Sequence, residues 1–266
     1  MSTPEARSQR VKPRPIVGIV LFLAYAAIFS GLFLASGVDY DAVGDTTSNV
    51  MKAIVLPVGV GALVLLLVTY FYGWWHPVFR DEDRAPRWTL LIPAFMAAAI
   101  VAGLATADWG GRESSFIVWL LVGTLFVGIA EEVLTRGLLL TAFRGGMGEV
   151  GVWFWTSLLF GLLHSLNILF GQSVGATIRQ IVFAFVLGSV LYACRRATGV
   201  LVVPIVLHGL WDFTTFLSSG QGATVSAGAQ GIIVYGAVIV CIVALFKRSL
   251  FRTAPTESVT AQTATA

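Results

Sequence analysis

The sequence predicts an all-α integral membrane protein, a polytopic bundle of about eight transmembrane helices. Two observations carry this expectation. Hydrophobic residues make up 57% of the 266 residues and charged ones 12%, with a mean hydropathy of +0.85, against about 25% charged in soluble domains. So few charges cannot coat a globule in water. The apolar residues also fall in runs of about 20, the length that crosses a hydrocarbon core of about 30 Å at 1.5 Å per residue. No period-two alternation recurs over roughly 10 residues, which argues against a membrane barrel. The same composition excludes a disordered chain, a coiled coil and a disulfide scaffold.

The runs are Ile16–Ser36, Ala53–Trp74, Trp88–Ala107, Phe116–Leu140, Val150–Phe170, Ala176–Cys194, Val200–Ser218 and Ala227–Phe246. They form one transmembrane domain over 16–250, between an N-terminal tail at 1–15 and a disordered tail at 251–266 that is small and polar. The first run, at about 21 residues, exceeds a signal-peptide core of 7–15 and reads as a retained helix. The loop 38–50, with Asp39, Asp41 and Asp45, reads as a solvated outer loop. Phe71–Trp75 resembles an interfacial aromatic belt, with His76 beside it at the interface. Cys194 and Cys241 lie in apolar runs and read as small buried side chains.

With eight passes and a cytoplasmic N-terminus, 14 of the 17 Lys and Arg residues fall on the cytoplasmic side, leaving only Lys52, Arg112 and Arg179 outside. The positive-inside rule gives this asymmetry in one orientation only. The net charge of +3 therefore reflects topology and not nucleic-acid binding. The expectation is a cell-membrane protein with both termini in the cytoplasm, surrounded by lipid.

Ionisable groups inside spans cost about 2.5–3.5 kcal/mol each even on the lenient insertion scale, so each needs a reason. In the fourth run, Glu131 and Glu132 follow about 15 uncharged residues, roughly 22 Å from the outer face, with Arg136 one turn further at the cytoplasmic edge. Glu132 and Arg136 stand at i,i+4 with the acid first, the favourable order for a helical ion pair. Glu131, offset by about 100°, is left without that partner. The fifth run places Phe160 and His164 at i,i+4, with the ring able to pack on the imidazole, and the seventh does the same for His208 and Asp212. By helical rise from the cytoplasmic side, His208 lies about 13 Å deep, His164 about 18–20 Å and Glu131 about 8–12 Å, a gap that helix tilt must close. Glu131, Glu132, His164 and His208 are the residue types of acid–base chemistry and metal ligation. On three separate helices they build either a hydrolytic site or a proton pathway.

Three motifs in order, EEVLTR at 131–136, FGLLH at 160–164 and HGLWD at 208–212, fit E-E-x-x-x-R, F-x-x-x-H and H-x-x-x-[N/D]. The stretch 180–212 that leads into the last motif, with Thr198-Gly199 and Pro204-Ile205, matches as well. Over about Phe116–Phe216 the chain resembles the CAAX prenyl protease/bacteriocin-processing (CPBP, Abi) family of intramembrane endopeptidases. The resemblance implies a catalytic core at about 116–218 that hydrolyses peptide bonds of membrane-associated peptides or proteins, prenylated CAAX-type tails among them. It implies Glu131 as the base that activates water with His164 assisting, His208 and Asp212 at the oxyanion, and Glu132 with Arg136 as a structural pair supported by Phe160.

Glu131, His164 and His208 are also a ligand set for a divalent metal such as zinc, with room for a water. No H-E-x-x-H is present, so the ligands would have to converge from three helices. Asp212 would suit an oxyanion site only when protonated, because an ionised carboxylate accepts and does not donate. Two other classes use the same residues: a proton-coupled transporter, and a noncatalytic membrane scaffold or immunity protein that keeps the motifs as helix-packing groups.

Overall fold

The apolar runs become helices, and the computed structural model describes residues 9–107, 109–218 and 223–251. Six helices are long and apolar enough to cross a membrane: α1 (Pro15–Ser36), α2 (Thr47–Tyr72), α3 (Arg87–Thr106), α4 (Ser114–Arg144), α5 (Glu149–Phe170) and α6 (Val174–Thr198). Two more apolar helices, α7 (Val202–Ser218) and α8 (Ala223–Phe246), occupy the seventh and eighth expected runs. Among the described residues there is no strand, only an isolated antiparallel bridge between Arg80 and Val200. The protein is an integral membrane helix bundle.

Three helix pairs form its frame: α3 with α8, α4 with α7, and α5 with α6. The α4–α7 crossing is tight because glycines face each other. A Cβ at Gly209 would lie 2.8 Å from the Thr124 carbonyl, and one at Gly128 would strike the Ile205 carbonyl. Small residues of this kind let backbones touch where lipid supplies no hydrophobic drive for association. The close approach brings the second glutamate-bearing turn of α4 against the histidine of α7.

The lipid-like surface shows in exposed Ile16, Leu63, Val101, Val182 and Ile239. Of the expected belt, Phe71 and Trp75 are exposed, but Trp74 is fully buried. Its indole donates to the Val11 carbonyl at 2.7 Å, while the Arg10 amide donates to the Tyr72 carbonyl at 3.0 Å. The chain before α1 is thus packed from Arg10 onward. Residues 1–8 and 252–266, which include the expected disordered tail, lie outside the described residues; Phe251, assigned to that tail, instead packs its ring 5.9 Å from Trp153.

Arg80, Arg144, Arg195 and Arg196 form a basic end around Asp81, and several of them do more than set topology. Arg196 is buried and bonds both Asp81 carboxylate oxygens at 3.0 Å and the Leu250 carbonyl at 2.9 Å. Arg144 joins Asp81 at 2.9 Å to Glu149 at 2.6 Å, and the Tyr192 hydroxyl donates to Glu149. Arg195, fully buried, donates to the Pro77 and Val78 carbonyls. Burial alone would raise the Asp81 carboxyl, but Arg144 and Arg196 beside it hold it below its ordinary value.

Candidate active site

The carboxylates lie where α4 changes its winding. The α-helix runs to Glu132, and Val133–Leu139 continues as a π-helix whose residues are all buried. Single π turns inside α-helices mark functional sites often enough to make the location informative. Thr135 sits in this turn, donating its hydroxyl to the Glu131 carbonyl and accepting from Arg136 at 2.7 Å.

Arg136, expected at the cytoplasmic edge, is fully buried instead. Its Nη1 pairs with Glu132 Oε1 at 2.7 Å, and its guanidinium carbon lies 4.3 Å from the centre of the Phe160 ring. Nε and Nη2 have no hydrogen-bond partner among the described residues. The aromatic face and the carboxylate together compensate the buried charge. A Cβ at position 188 would come within 2.8 Å of Nη2, so Gly188 on α6 makes the room.

Glu132 has a second task beyond pairing with Arg136. The same Oε1 lies 3.0 Å from His208 Nδ1 across the α4–α7 crossing. A carboxylate here accepts, so Nδ1 carries a proton, and Nε2 is turned the other way. Nε2 then lies 4.0 Å from Glu131 Oε2 and 3.6 Å from Asp212 Oδ2. Arg136, Glu132 and His208 form one line that ends at the two less buried carboxylates. The depth gap between Glu131 and His208 is closed by the crossing of α4 and α7.

His164 caps the α-helical part of α5 and opens a 3-10 segment, His164–Phe170, that ends at Gly171 with φ of 96°. Its Nδ1 lies 3.0 Å from the Phe160 carbonyl. A carbonyl only accepts, so Nδ1 is protonated and a neutral ring keeps its lone pair on Nε2. Phe160 stands edge-on to both imidazoles, at centroid distances of 5.3 Å to His164 and 5.5 Å to His208. One buried ring thus spaces the two histidines.

Glu131, His164, His208 and Asp212 all line one cavity of about 300 Å³, walled by aromatic and aliphatic side chains from α1, α2, α4, α5, α6 and α7. The loop expected to be merely solvated closes part of it: Tyr40 and Val43 line the cavity, and Val43 is buried. Sequence reasoning also passed over Asn167 and Gln180, which line the same cavity. They are uncharged polar residues inside apolar runs, a signal weaker than a charge but of the same kind. His76 is exposed and lies outside it.

The expected metal set fares differently. No three His, Cys, Asp or Glu side chains among the described residues are grouped as a metal ion requires. As arranged, these residues do not make a metal centre. Cys194 and Cys241 are free and buried, away from the cavity.

Residues 113–214 match the family model described as Rce1-like, type II CAAX prenyl endopeptidase Rce1-like. The matched stretch contains all three motifs and agrees with the family that they resemble. No curated protein and no solved structure matches the chain.

Proposed function

We propose that this chain is an intramembrane endopeptidase that hydrolyses peptide bonds of membrane-associated substrates, CAAX-type tails among them, with Glu131 as the base. The observation that carries this reading is the approach of Glu131 and Asp212 to Nε2 of His208, inside a cavity of about 300 Å³ walled largely by apolar groups. The match over 113–214 supports the reaction class at the level of the family.

In this reading Glu131 takes a proton from a water in the cavity as the oxygen attacks the scissile carbonyl, and returns that proton to the departing amine. His208, protonated on both nitrogens among three carboxylates, is oriented by Glu132 through Nδ1–H and presents Nε2–H to the oxyanion as it forms. Asp212 holds that Nε2–H in place before the substrate arrives. His164, with Nδ1–H spent on the Phe160 carbonyl, offers a lone pair that orients the water. The basic end of the bundle, with Arg80, Arg144, Arg195 and Arg196, faces the cytoplasm, which puts both termini on that side, and the host is the cell membrane.

The test compares peptides released from membranes carrying the intact chain with those carrying Glu131→Gln. Peptides that appear only with the intact chain support the proposal. Identical profiles from two equally folded proteins would sink it and favour a scaffold, and ion flux in proteoliposomes without cleavage would favour a transporter.

A further inference from the structure

The cavity lining holds two sets of polar side chains of different chemistry. Glu131, His208 and Asp212 are the titratable set. In the second set, three uncharged polar side chains from three segments form a chain of hydrogen bonds: Gln180 Nε2 donates to the Tyr40 hydroxyl at 2.9 Å, and Asn167 Nδ2 donates to Gln180 Oε1 at 2.9 Å. Asn167 comes three residues after His164 in the 3-10 segment of α5, and three residues per turn put i and i+3 on one side. The amide chain therefore starts on the face of the catalytic imidazole.

Apolar walls leave a peptide with a difficulty, because every peptide unit carries a donor and an acceptor that must be satisfied away from water. A side-chain amide offers the complementary pair, one C=O and one NH₂. Here the Gln180 donor is occupied by a phenol oxygen, which accepts as a peptide carbonyl would. The phenol comes from Tyr40–Ala42, a single 3-10 turn of the loop between α1 and α2. That loop is held independently of the phenol: Asn49 donates to the Ala42 carbonyl at 2.8 Å, and Val43 is buried. Releasing the Tyr40 bond thus leaves the loop anchored.

We propose that Gln180 and Asn167 form the subsite that holds the backbone of an extended peptide, and that Tyr40 occupies this subsite until a peptide displaces it. The proposal rests on the reading of the cavity as a peptide-hydrolysing site. Tyr40 is a competitor and Gln180 a ligand, so removing them has opposite effects on binding. A purely structural bond would give the same effect from either side.

The experiment uses the full chain in lipid nanodiscs with Glu131→Gln in every variant, so that binding is read without turnover. The probe is a fluorescent farnesylated peptide ending in a CAAX sequence, titrated by anisotropy. Tyr40→Phe is expected to tighten Kd about threefold to tenfold, and Gln180→Met, which keeps the side-chain length, to weaken it about tenfold. If Gln180→Met unfolds, Asn167→Ala reads the same subsite and is expected to weaken Kd in the same way. Shifts in the same direction for Tyr40→Phe and the amide variant, no shift in either, or no saturable binding overturns the proposal. Cleavage of the same peptide by chains with and without Glu131 is measured in parallel. Equal cleavage there defeats the protease reading while the Kd pattern still decides the subsite.

Discussion

Glu132 Oε1 accepts from Arg136 at 2.7 Å and from His208 at 3.0 Å, so one carboxylate oxygen on α4 joins its own helix to α7. Within α4 alone the pair with Arg136 is a helix-stabilising contact. Across the crossing, the same atom fixes which nitrogen of His208 faces the cavity. Glu132→Gln keeps the shape and removes the charge. In a cleavage assay kcat should fall about 100-fold with KM changed less than threefold, as for loss of an acid–base orienter. Stability should fall by about 3 kcal/mol, because Arg136 stays buried without its counter-ion. An unchanged kcat would return Glu132 to a structural role only.

Phe160 touches three charged or titratable groups at once: both imidazoles at their edges and Arg136 on its face. Phe160→Leu retains apolar volume but loses the ring. The loss of the cation–π contact should cost about 1–2 kcal/mol in unfolding experiments. Activity should fall more than stability suggests, because both histidines lose their spacer. Activity at the wild-type level would show that the ring is a packing group alone.

Gly209 does not line the cavity, yet it faces the Thr124 carbonyl at the α4–α7 crossing. Gly209→Ala should cost about 1–3 kcal/mol through overpacking. The two helices separate and His208, the preceding residue, withdraws from Glu131 and Glu132. Substantial loss of cleavage with preserved membrane insertion is expected. Full activity would place the positioning of His208 elsewhere.

At the basic end, Asp81 is held below the usual carboxylate value by Arg144 and Arg196, which outweigh its burial. Its folded value lies below its unfolded value of about 3.9. The stabilisation is therefore complete above that unfolded value and lost as pH falls through the folded one. Acid unfolding of the intact chain should carry this component, and Asp81→Asn should lack it. At neutral pH the same variant should be about 3 kcal/mol less stable, with Arg196 left buried opposite a neutral amide. Superimposable acid-unfolding curves for the two proteins would refute the assignment.

Much of this was legible in the residue order. A run of about 20 apolar residues has one way to satisfy its backbone in lipid, so the helices followed from length alone. Spacing within a helix was equally readable, which is why Glu132 and Arg136 could be paired in advance. Spacing is silent about what lies across a crossing, so the bond from Glu132 to His208 had no sequence signature. Arg195 and Arg196 looked like topology markers because composition cannot tell a charge at an interface from one buried against carbonyls and Asp81. Trp74 was hidden among belt aromatics for the same reason. The acidic residues around Tyr40 read as a solvated loop, although Tyr40 itself is neutral and lines the cavity.

The broad turn at Val133–Leu139 makes length changes unequal there. A stretch closed by wider rings accommodates more chain than ordinary helix of the same rise. Dropping one residue lets the backbone tighten while both flanks keep their rotational phase, so the carboxylates still face α7. Adding one finds no slack, because every neighbour in the turn is already enclosed. Natural variation in this segment should therefore be by shortening, with the glutamates in place.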